Sequence, residues 1–183
     1  MEYEVIVIGG GMAGMSAAMF LGRAGVSVGV FDQGESSLRR VSRVNNYPGF
    51  PGGIAGQALL ESCRTQASQS GADVFDARVE SVGTRSPGFV VNAAAAAYPC
   101  EYLVLASNKR TDLAQALGLT LGGFGSRFVG VDGRGETAAA GCYAAGRITG
   151  LPSQAVISAG DGAKTALAII ERIRGGYYVD HDV

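Results

Sequence analysis

Short apolar runs alternate with longer amphipathic stretches along this chain, in the order that strands and helices produce when they follow one another. The apolar run 4–8 leads into glycines, then into a stretch of small apolar residues, 12–24, and then into a second apolar run, 27–32. Short apolar runs indicate buried strands, and the stretch between them is long enough for a helix. This segment therefore predicts a strand–helix–strand unit with parallel strands.

The rest of the chain continues the pattern. A loop rich in proline and glycine, 47–53, precedes a helix predicted over 56–70, which Gly71 would terminate. Three more strands are predicted over 73–82, 88–93 and 102–106. Beyond an irregular polar stretch, 108–122, two short strands and a final helix with an apolar stripe are predicted over 127–131, 142–145 and 154–174.

The order of these elements predicts the fold class. No linker divides the chain, so we expect a single domain over residues 1–183. We expect an α/β fold of three layers, Rossmann-like, with a parallel sheet and a small antiparallel β excursion between the second and the last parallel strands.

Composition excludes several classes of protein. The chain has 183 residues and a formal net charge of −1, which argues against nucleic-acid binding of the usual basic kind. The apolar runs fall short of the roughly 20 residues that cross a bilayer, so we expect no membrane partner and a cytoplasmic location. Cys63, Cys100 and Cys142 lie far apart, and His181 is the single histidine, so we expect neither a disulfide framework nor a metal site.

A glycine motif follows the first strand and opens the first helix. Gly9, Gly11 and Gly14 have the spacing G-x-G-x-x-G, and Met12 lies inside the motif with Ala13. Such glycines permit a tight turn, a close approach of backbone N–H groups to a diphosphate, and close packing of helix on strand. Asp32, at the end of the second strand, is placed to accept hydrogen bonds from a ribose. The motif predicts dinucleotide binding and does not distinguish FAD from NAD.

Two later segments carry a resemblance to a known family. "NNYPGFPGGIAGQALLESCRTQASQSGA" (45–72) and "GCYAAGRITGLPSQAVISAGDGAKTAL" (141–167) resemble the flavin-domain segments of low-molecular-weight thioredoxin reductases and related flavoproteins with two dinucleotide-binding domains. The resemblance implies an FAD-binding domain. It implies that Asn46 reaches the flavin end of FAD, that the backbone of Arg78 and Val79 meets adenine, and that Gln154 and Ala155 lie against the isoalloxazine. The remaining residues that we expect to contact the cofactor are Gln33, Arg40, Ala106, Ser107, Asn108, Gly146 and Arg147.

The chain also departs from that family. The family's inserted nicotinamide-binding domain and its redox-active C-x-x-C have no counterpart here, because "YLVLASN" runs directly into "KRTDLAQALGL". We therefore expect no thioredoxin reductase activity. Where the family has A-T-G, this chain has Ala106-Ser107-Asn108, and the side chain that replaces the glycine is expected to be able to reorient the loop.

Arg147 stands where the family pattern A-A-G-D has a carboxylate that accepts a hydrogen bond from the ribityl chain. An arginine cannot accept a hydrogen bond. Three interpretations stay open: the guanidinium pairs with the FAD diphosphate while the backbone contacts of Gly146 and Arg147 remain; it forms an anion site with Arg39, Arg40 or Arg43; or it is an exposed loop residue beside a decayed site. The three other arginines belong either to a solvated loop or to a docking surface for an acidic electron-transfer partner or an anionic substrate.

Two classes of function follow. The first is a minimal single-domain FAD-dependent oxidoreductase or electron carrier, reduced by an external donor such as a reduced protein or NAD(P)H, with an acceptor that the sequence does not define. The second is a non-catalytic FAD-binding module, acting as a sensor or as a subunit of a larger redox complex. In either class the apolar surface left by the absent domain favours a homodimer or a partner chain. No acid, base or nucleophile is identified; Tyr143 and Asp161 are candidates without further support.

Overall fold

Strand β1 (Tyr3–Ile8) lies near the middle of the principal sheet in the computed structural model, which describes residues 2–108 and 110–180. His181 lies outside the described residues. Helices are α1 (Met12–Arg23), α2 (Gly56–Gln69), α3 (Asp112–Ala116) and α4 (Ala155–Arg174). The other strands are β2 (Val28–Phe31), β3 (Asp73–Phe75), β4 (Val79–Thr84), β5 (Phe89–Ala93), β6 (Ala96–Leu105), β7 (Leu121–Gly122), β8 (Phe128–Val129) and β9 (Cys142–Ala144).

Among the described residues, seven strands form one sheet in the order β3-β2-β1-β6-β5-β4, with β9 also paired to β6. The pairs β1–β2, β2–β3, β1–β6 and β6–β9 are parallel, whereas β4–β5 and β5–β6 are antiparallel. The long strand β6 joins the two parts, because its first half pairs with β5 and its second half pairs with β9. The expected α/β fold with a parallel sheet and an antiparallel excursion is confirmed.

The parallel strands are buried on both faces, which explains their nearly continuous apolar sequence. One face, with Val5, Val7 and Val104, packs under α1 and α4. The other face, with Ile6 and Leu103, packs against residues of the antiparallel strands and of α3. Within the described part of the chain, no helix is long and apolar enough to span a membrane.

Three sequence expectations are corrected. The single strand predicted over 73–82 is two strands, β3 and β4, because the chain leaves the parallel sheet at Asp76, whose carboxylate pairs with Arg64 at 2.9 Å. Strand β6 begins at Ala96 rather than at residue 102. The stretch 108–122, expected to be irregular, contains α3 and ends in β7.

The five consecutive alanines form part of a hairpin. Ala94 and Ala95 make the two-residue turn between β5 and β6, and both have positive φ, +50° and +59°. Two-residue hairpin turns with positive φ at both positions match the twist of the strands, but they favour Asn and Gly over Ala. This turn therefore carries backbone strain.

Candidate cofactor site

A cavity of about 630 Å³ opens where the parallel strands β1, β2, β6 and β9 end. The carboxyl ends of parallel strands meet at one edge of the sheet, and the loops that leave them surround a crevice. The volume lies within the range typical of small-molecule sites, roughly 300–1,000 Å³. This edge of the sheet is therefore the candidate site.

The turn between β1 and α1 requires glycine at specific positions. Gly9 has φ +117°, a conformation that side chains disfavour, and a Cβ there would overlap the carbonyl oxygen of Ala106. A Cβ at Gly14 would overlap the carbonyl oxygen of Gly9. Gly11 is the N-cap of α1 and supplies no side-chain cap, so the first N–H groups of the helix are left for a ligand.

Asp32 lies at the end of β2 with 4% of its surface exposed. Its Oδ1 accepts a hydrogen bond of 2.9 Å from the N–H of Gly34. Its Oδ2 lies 3.7 Å from guanidinium nitrogens of Arg39 and Arg64, which is too long for a hydrogen bond. The carboxylate is therefore held in place while one oxygen keeps its capacity to accept.

Helix α4 begins on the other side of the cavity. Its N-cap, Gln154, has no side-chain cap, and the Gln154 Oε1 accepts a hydrogen bond of 2.8 Å from Asn46 Nδ2. A Cβ at Gly162 would overlap the carbonyl oxygen of Ala13, so this glycine lets α4 pack closely on α1. The close packing brings both helix N-termini to one cavity, where each contributes a partial positive charge.

The segment after β6 has a left-handed backbone at Asn108, the position where the family resemblance has a glycine. Asn108 has φ +57°, in the left-handed region that asparagine tolerates better than other side chains. Ser107 Oγ donates to the carbonyl oxygen of Arg110 at 2.8 Å, and Arg110 Nη1 donates to the carbonyl oxygen of Val79 at 2.9 Å. The Arg110 guanidinium also holds the pKa of Asp112 below its usual value. Asn108 Oδ1 is buried and has no hydrogen-bond partner among the residues that the structure describes.

Gly146 and Arg147 follow β9. The N–H of Gly146 donates to Asp161 Oδ2 at 2.7 Å, and Lys164 Nζ lies 2.7 Å from Asp161 Oδ1. Asp161 therefore holds the turn. Because Asp161 takes the N–H of Gly146, residue 147 is left to face the cavity. The Arg147 side chain is exposed and makes no ion pair with the described residues.

Most of the predicted contacts meet at this cavity. Fourteen of the predicted residues line it: Gly9, Gly11, Met12, Ala13, Asp32, Gln33, Arg40, Val79, Ala106, Ser107, Asn108, Arg147, Gln154 and Ala155. Four do not line it: Gly14, which packs α1 on β1; Gly146; the exposed Arg78; and Asn46, which reaches Gln154.

Several lining residues were missed by sequence reasoning. Nothing in the sequence except proximity to a motif indicates that four of them contact a ligand site: Gly10, Ser36, Ser37 and Ser158. The fifth, Arg110, lies in a stretch that was expected to be irregular. The sequence places Arg39 either in an anion site with Arg147 or on the surface. In the structure it lines the cavity together with Arg40, whereas Arg43 does not.

The cysteines are placed for packing. Burial raises the pKa of Cys100 and of Cys142 to about 12, and it also raises the pKa of the half-buried Cys63. Nucleophilic thiols need a lowered pKa, since the thiolate is the reactive form. Of the residues that the structure describes, those lining the cavity include no cysteine, and none forms a cluster that could hold a metal ion.

Taken together, a glycine turn before α1, a buried acid at the end of β2 and a cavity at the carboxyl ends of parallel strands define a Rossmann-like dinucleotide-binding fold. The model of one family, described as pyridine nucleotide-disulphide oxidoreductase, matches residues 3–111. The chain belongs to this family.

Relatives point the same way. The chain is 42% identical over 108 residues to a bifunctional thioredoxin reductase/thioredoxin of Mycobacterium leprae, over 57% of this chain and 23% of that protein. It is 27% identical over 183 residues to a thioredoxin reductase of Chlamydia trachomatis, over 97% of this chain and 56% of that protein. The chain thus spans little more than half the length of that relative, and less of the other.

Solved structures share the fold. A thioredoxin reductase from Gloeobacter violaceus superposes with a TM-score of 0.83 at 19% identity, over 100% of this chain and 99% of that one. A thioredoxin reductase from Streptococcus pyogenes superposes with a TM-score of 0.87 at 13% identity, over 95% and 99%. The architecture is therefore that of thioredoxin reductase-like proteins.

Proposed function

We propose that this chain is a minimal FAD-dependent oxidoreductase or electron-transfer flavoprotein, a single FAD-binding domain over residues 1–183 without an inserted nicotinamide-binding domain. The observation that carries the proposal is the cavity itself, which runs from Asp32 at the end of β2 past the glycine turn to Gln154 at the start of α4. A site for an adenosine half alone would need only the first part of this surface.

The residues present fit FAD. Asp32 Oδ2 is available to a ribose hydroxyl, and the N-terminus of α1 is available to the diphosphate. Arg40 and Arg147 line the same cavity and have no ion-pair partner among the described residues, so two cations face a group with two negative charges. Gln154 and Ala155 would hold the isoalloxazine, and the α4 N-terminus would favour the negative charge that the ring gains on reduction.

Bound FAD would supply the redox chemistry, and the chain would supply orientation and access. We propose an external electron donor, a reduced protein or NAD(P)H, and an acceptor that we leave undefined. Two observations support the absence of thioredoxin reductase activity. The sequence has no C-x-x-C, and burial keeps the thiols of Cys100 and Cys142 protonated at neutral pH.

Anaerobic mixing experiments test this function. The FAD-loaded protein is mixed with NADH, NADPH or a reduced ferredoxin while the flavin absorbance is followed. Rapid bleaching by one of these donors, together with no reduction of thioredoxin in a coupled assay, is the expected result. NADPH-dependent reduction of thioredoxin by the purified chain would contradict the proposal.

The alternative is a non-catalytic FAD-binding module that acts as a sensor or as a subunit of a redox complex. It is favoured by one observation: the buried acid Asp161 does not line the cavity and is engaged by Gly146 and Lys164. Tight FAD binding with bleaching by dithionite alone would support the module over the enzyme.

The surroundings of the cavity also suggest partners. Arg39, Arg40 and Arg43 are exposed beside the cavity, and we propose that they attract an acidic protein donor. A reduction rate that does not change with ionic strength would contradict this docking.

Exposed apolar side chains, among them Val41, Phe50 and Val156, support a homodimer, which sedimentation analysis would detect. The three free cysteines are typical of a reducing, cytoplasmic compartment.

A further inference from the structure

Asn108 presents an unused hydrogen-bond acceptor at the cavity. The residue lines the cavity, and its buried Oδ1 has no partner within residues 2–108 and 110–180. A buried acceptor without a partner destabilises the folded protein, so its presence calls for a donor that the described residues do not provide.

The position of Asn108 relates it to Arg147. Leu105 of β6 pairs with Ala144 of β9, and the N–H of Ala145 donates to the carbonyl oxygen of Leu105 at 3.0 Å. Asn108 and Arg147 each follow the paired residues by three positions. They leave neighbouring parallel strands at the same level, one with an acceptor and the other with a cation that donates only.

The segment that carries Asn108 runs against the glycine turn. A Cβ at Gly9 would overlap the carbonyl oxygen of Ala106, so residues 106–108 border the place proposed for the diphosphate. A phosphate oxygen cannot satisfy Oδ1, because both are acceptors. The groups next to the diphosphate of FAD are the ribose on one side and the ribityl chain on the other, and both carry hydroxyl donors.

We propose that Asn108 Oδ1 accepts a hydrogen bond from a sugar hydroxyl of FAD beside the diphosphate, while Arg147 faces the diphosphate itself. This inference rests on the proposed FAD site. In this arrangement Asn108 is a binding residue that a glycine at the same position would not replace, although glycine would suit the backbone φ of +57° equally well.

The test is Asn108→Gly, which keeps the left-handed backbone and removes the acceptor. FAD affinity is measured by quenching of flavin fluorescence, and the melting temperature is measured on the FAD-free protein. We expect about tenfold weaker FAD binding, equivalent to about 1.4 kcal/mol. The melting temperature of the FAD-free variant is expected to be unchanged or higher, because an unsatisfied buried acceptor has been removed.

Ser126→Gly is the matched control. Ser126 is exposed, lies outside the cavity lining and also has positive φ, +48°, so it reports the effect of the same backbone relief at a distance from the site. We expect this variant to bind FAD as the wild type does. Unchanged FAD affinity in Asn108→Gly, or a loss accompanied by a lower melting temperature of the FAD-free protein, would overturn the inference.

Titration with ADP, which lacks the ribityl chain, shows which sugar carries the donor hydroxyl. If Asn108→Gly weakens ADP and FAD alike, the donor is on the ribose; if it weakens FAD alone, the donor is on the ribityl chain. Titration of the wild-type protein with FAD distinguishes a failure of the proposed FAD site from a failure of the inference on Asn108. A wild-type protein that does not bind FAD removes the proposed site and this inference with it, whereas wild-type binding that the substitution leaves unchanged removes only the inference.

Discussion

The two halves of the cavity are built in different ways. On the β1–α1–β2 side, the wall of the cavity is backbone fixed by packing: Gly9 and Gly14 have no room for a side chain, and Asp32 is anchored by the N–H of Gly34. On the β6–β9 side, side chains face the cavity with unused capacity: Asn108 has a free acceptor, and Arg147 has no counterion among the described residues. We therefore expect substitutions at the packed glycines of the first side to reduce stability, whereas substitutions on the second side should change binding alone.

The largest effect separates the halves by stability. In Gly14→Ala the new Cβ would overlap the carbonyl oxygen of Gly9, so α1 must move away from β1. We expect a loss of about 3 kcal/mol in the free energy of unfolding, measured by urea titration. Gly11→Ala is the control, since its Cβ meets only Ser36 Oγ at 3.8 Å, and it should keep the stability while weakening FAD binding. Equal stability of both variants would contradict the packing account.

Charge reversal on the other side should act on affinity only. Arg147 is exposed, so Arg147→Asp and Arg147→Ala should leave the melting temperature of the FAD-free protein unchanged. A charge-assisted hydrogen bond contributes about 1.5–3 kcal/mol, so we expect roughly tenfold weaker FAD binding for Ala and a larger loss for Asp.

Arg43→Asp provides the comparison for this pair, because Arg43 lies near the cavity without lining it. Its FAD affinity should stay close to that of the wild type. If both Arg147 variants bind FAD as tightly as the wild type, the guanidinium does not face the diphosphate.

Asp32→Asn tests the β1–α1–β2 side of the cavity with a substitution that keeps the shape of the side chain. The amide oxygen can still accept from Gly34, so the fold should be retained. The variant loses the charged acceptor at Oδ2, and we expect about tenfold weaker binding of both FAD and ADP by competition titration. A loss for FAD without a loss for ADP would place Asp32 away from the adenosine half.

The smallest expected effect lies outside both halves, in the hairpin turn at Ala94 and Ala95. Replacing the pair by Asn-Gly supplies residues that adopt positive φ readily, and we expect a gain of about 1 kcal/mol in the free energy of unfolding. FAD affinity should not change. A loss of stability would show that the turn does not carry the strain inferred here.

The sequence predicted the structure of the β1–α1–β2 side of the cavity well, because the patterns that specify it are local. Glycine spacing directly after an apolar strand, followed by a helix and an acid, specifies the turn, the helix and the buried Asp32 within 32 residues. Helix α4 was predicted within a residue of its observed start, because its apolar stripe is long.

The β6–β9 side of the cavity could not be predicted in detail from the sequence, because its contacts join residues that are far apart in the chain. The hydrogen bond from Gly146 to Asp161 joins a strand end to a helix turn 15 residues later. Asp76 and Arg78 fit the exposed positions of a continuous strand, so the break between β3 and β4 left no local signal. Because alanine is not a typical turn residue, the sequence did not predict the hairpin turn at residues 94–95.

The visible absorption spectrum of the purified protein, before and after addition of FAD and removal of the excess, tests the central claim most directly. The account predicts flavin bands that remain with the protein after gel filtration, at one FAD per chain, and that are lost from a chain carrying both Gly11→Ala and Arg147→Asp. A wild-type protein that retains no flavin after incubation with FAD would contradict the account.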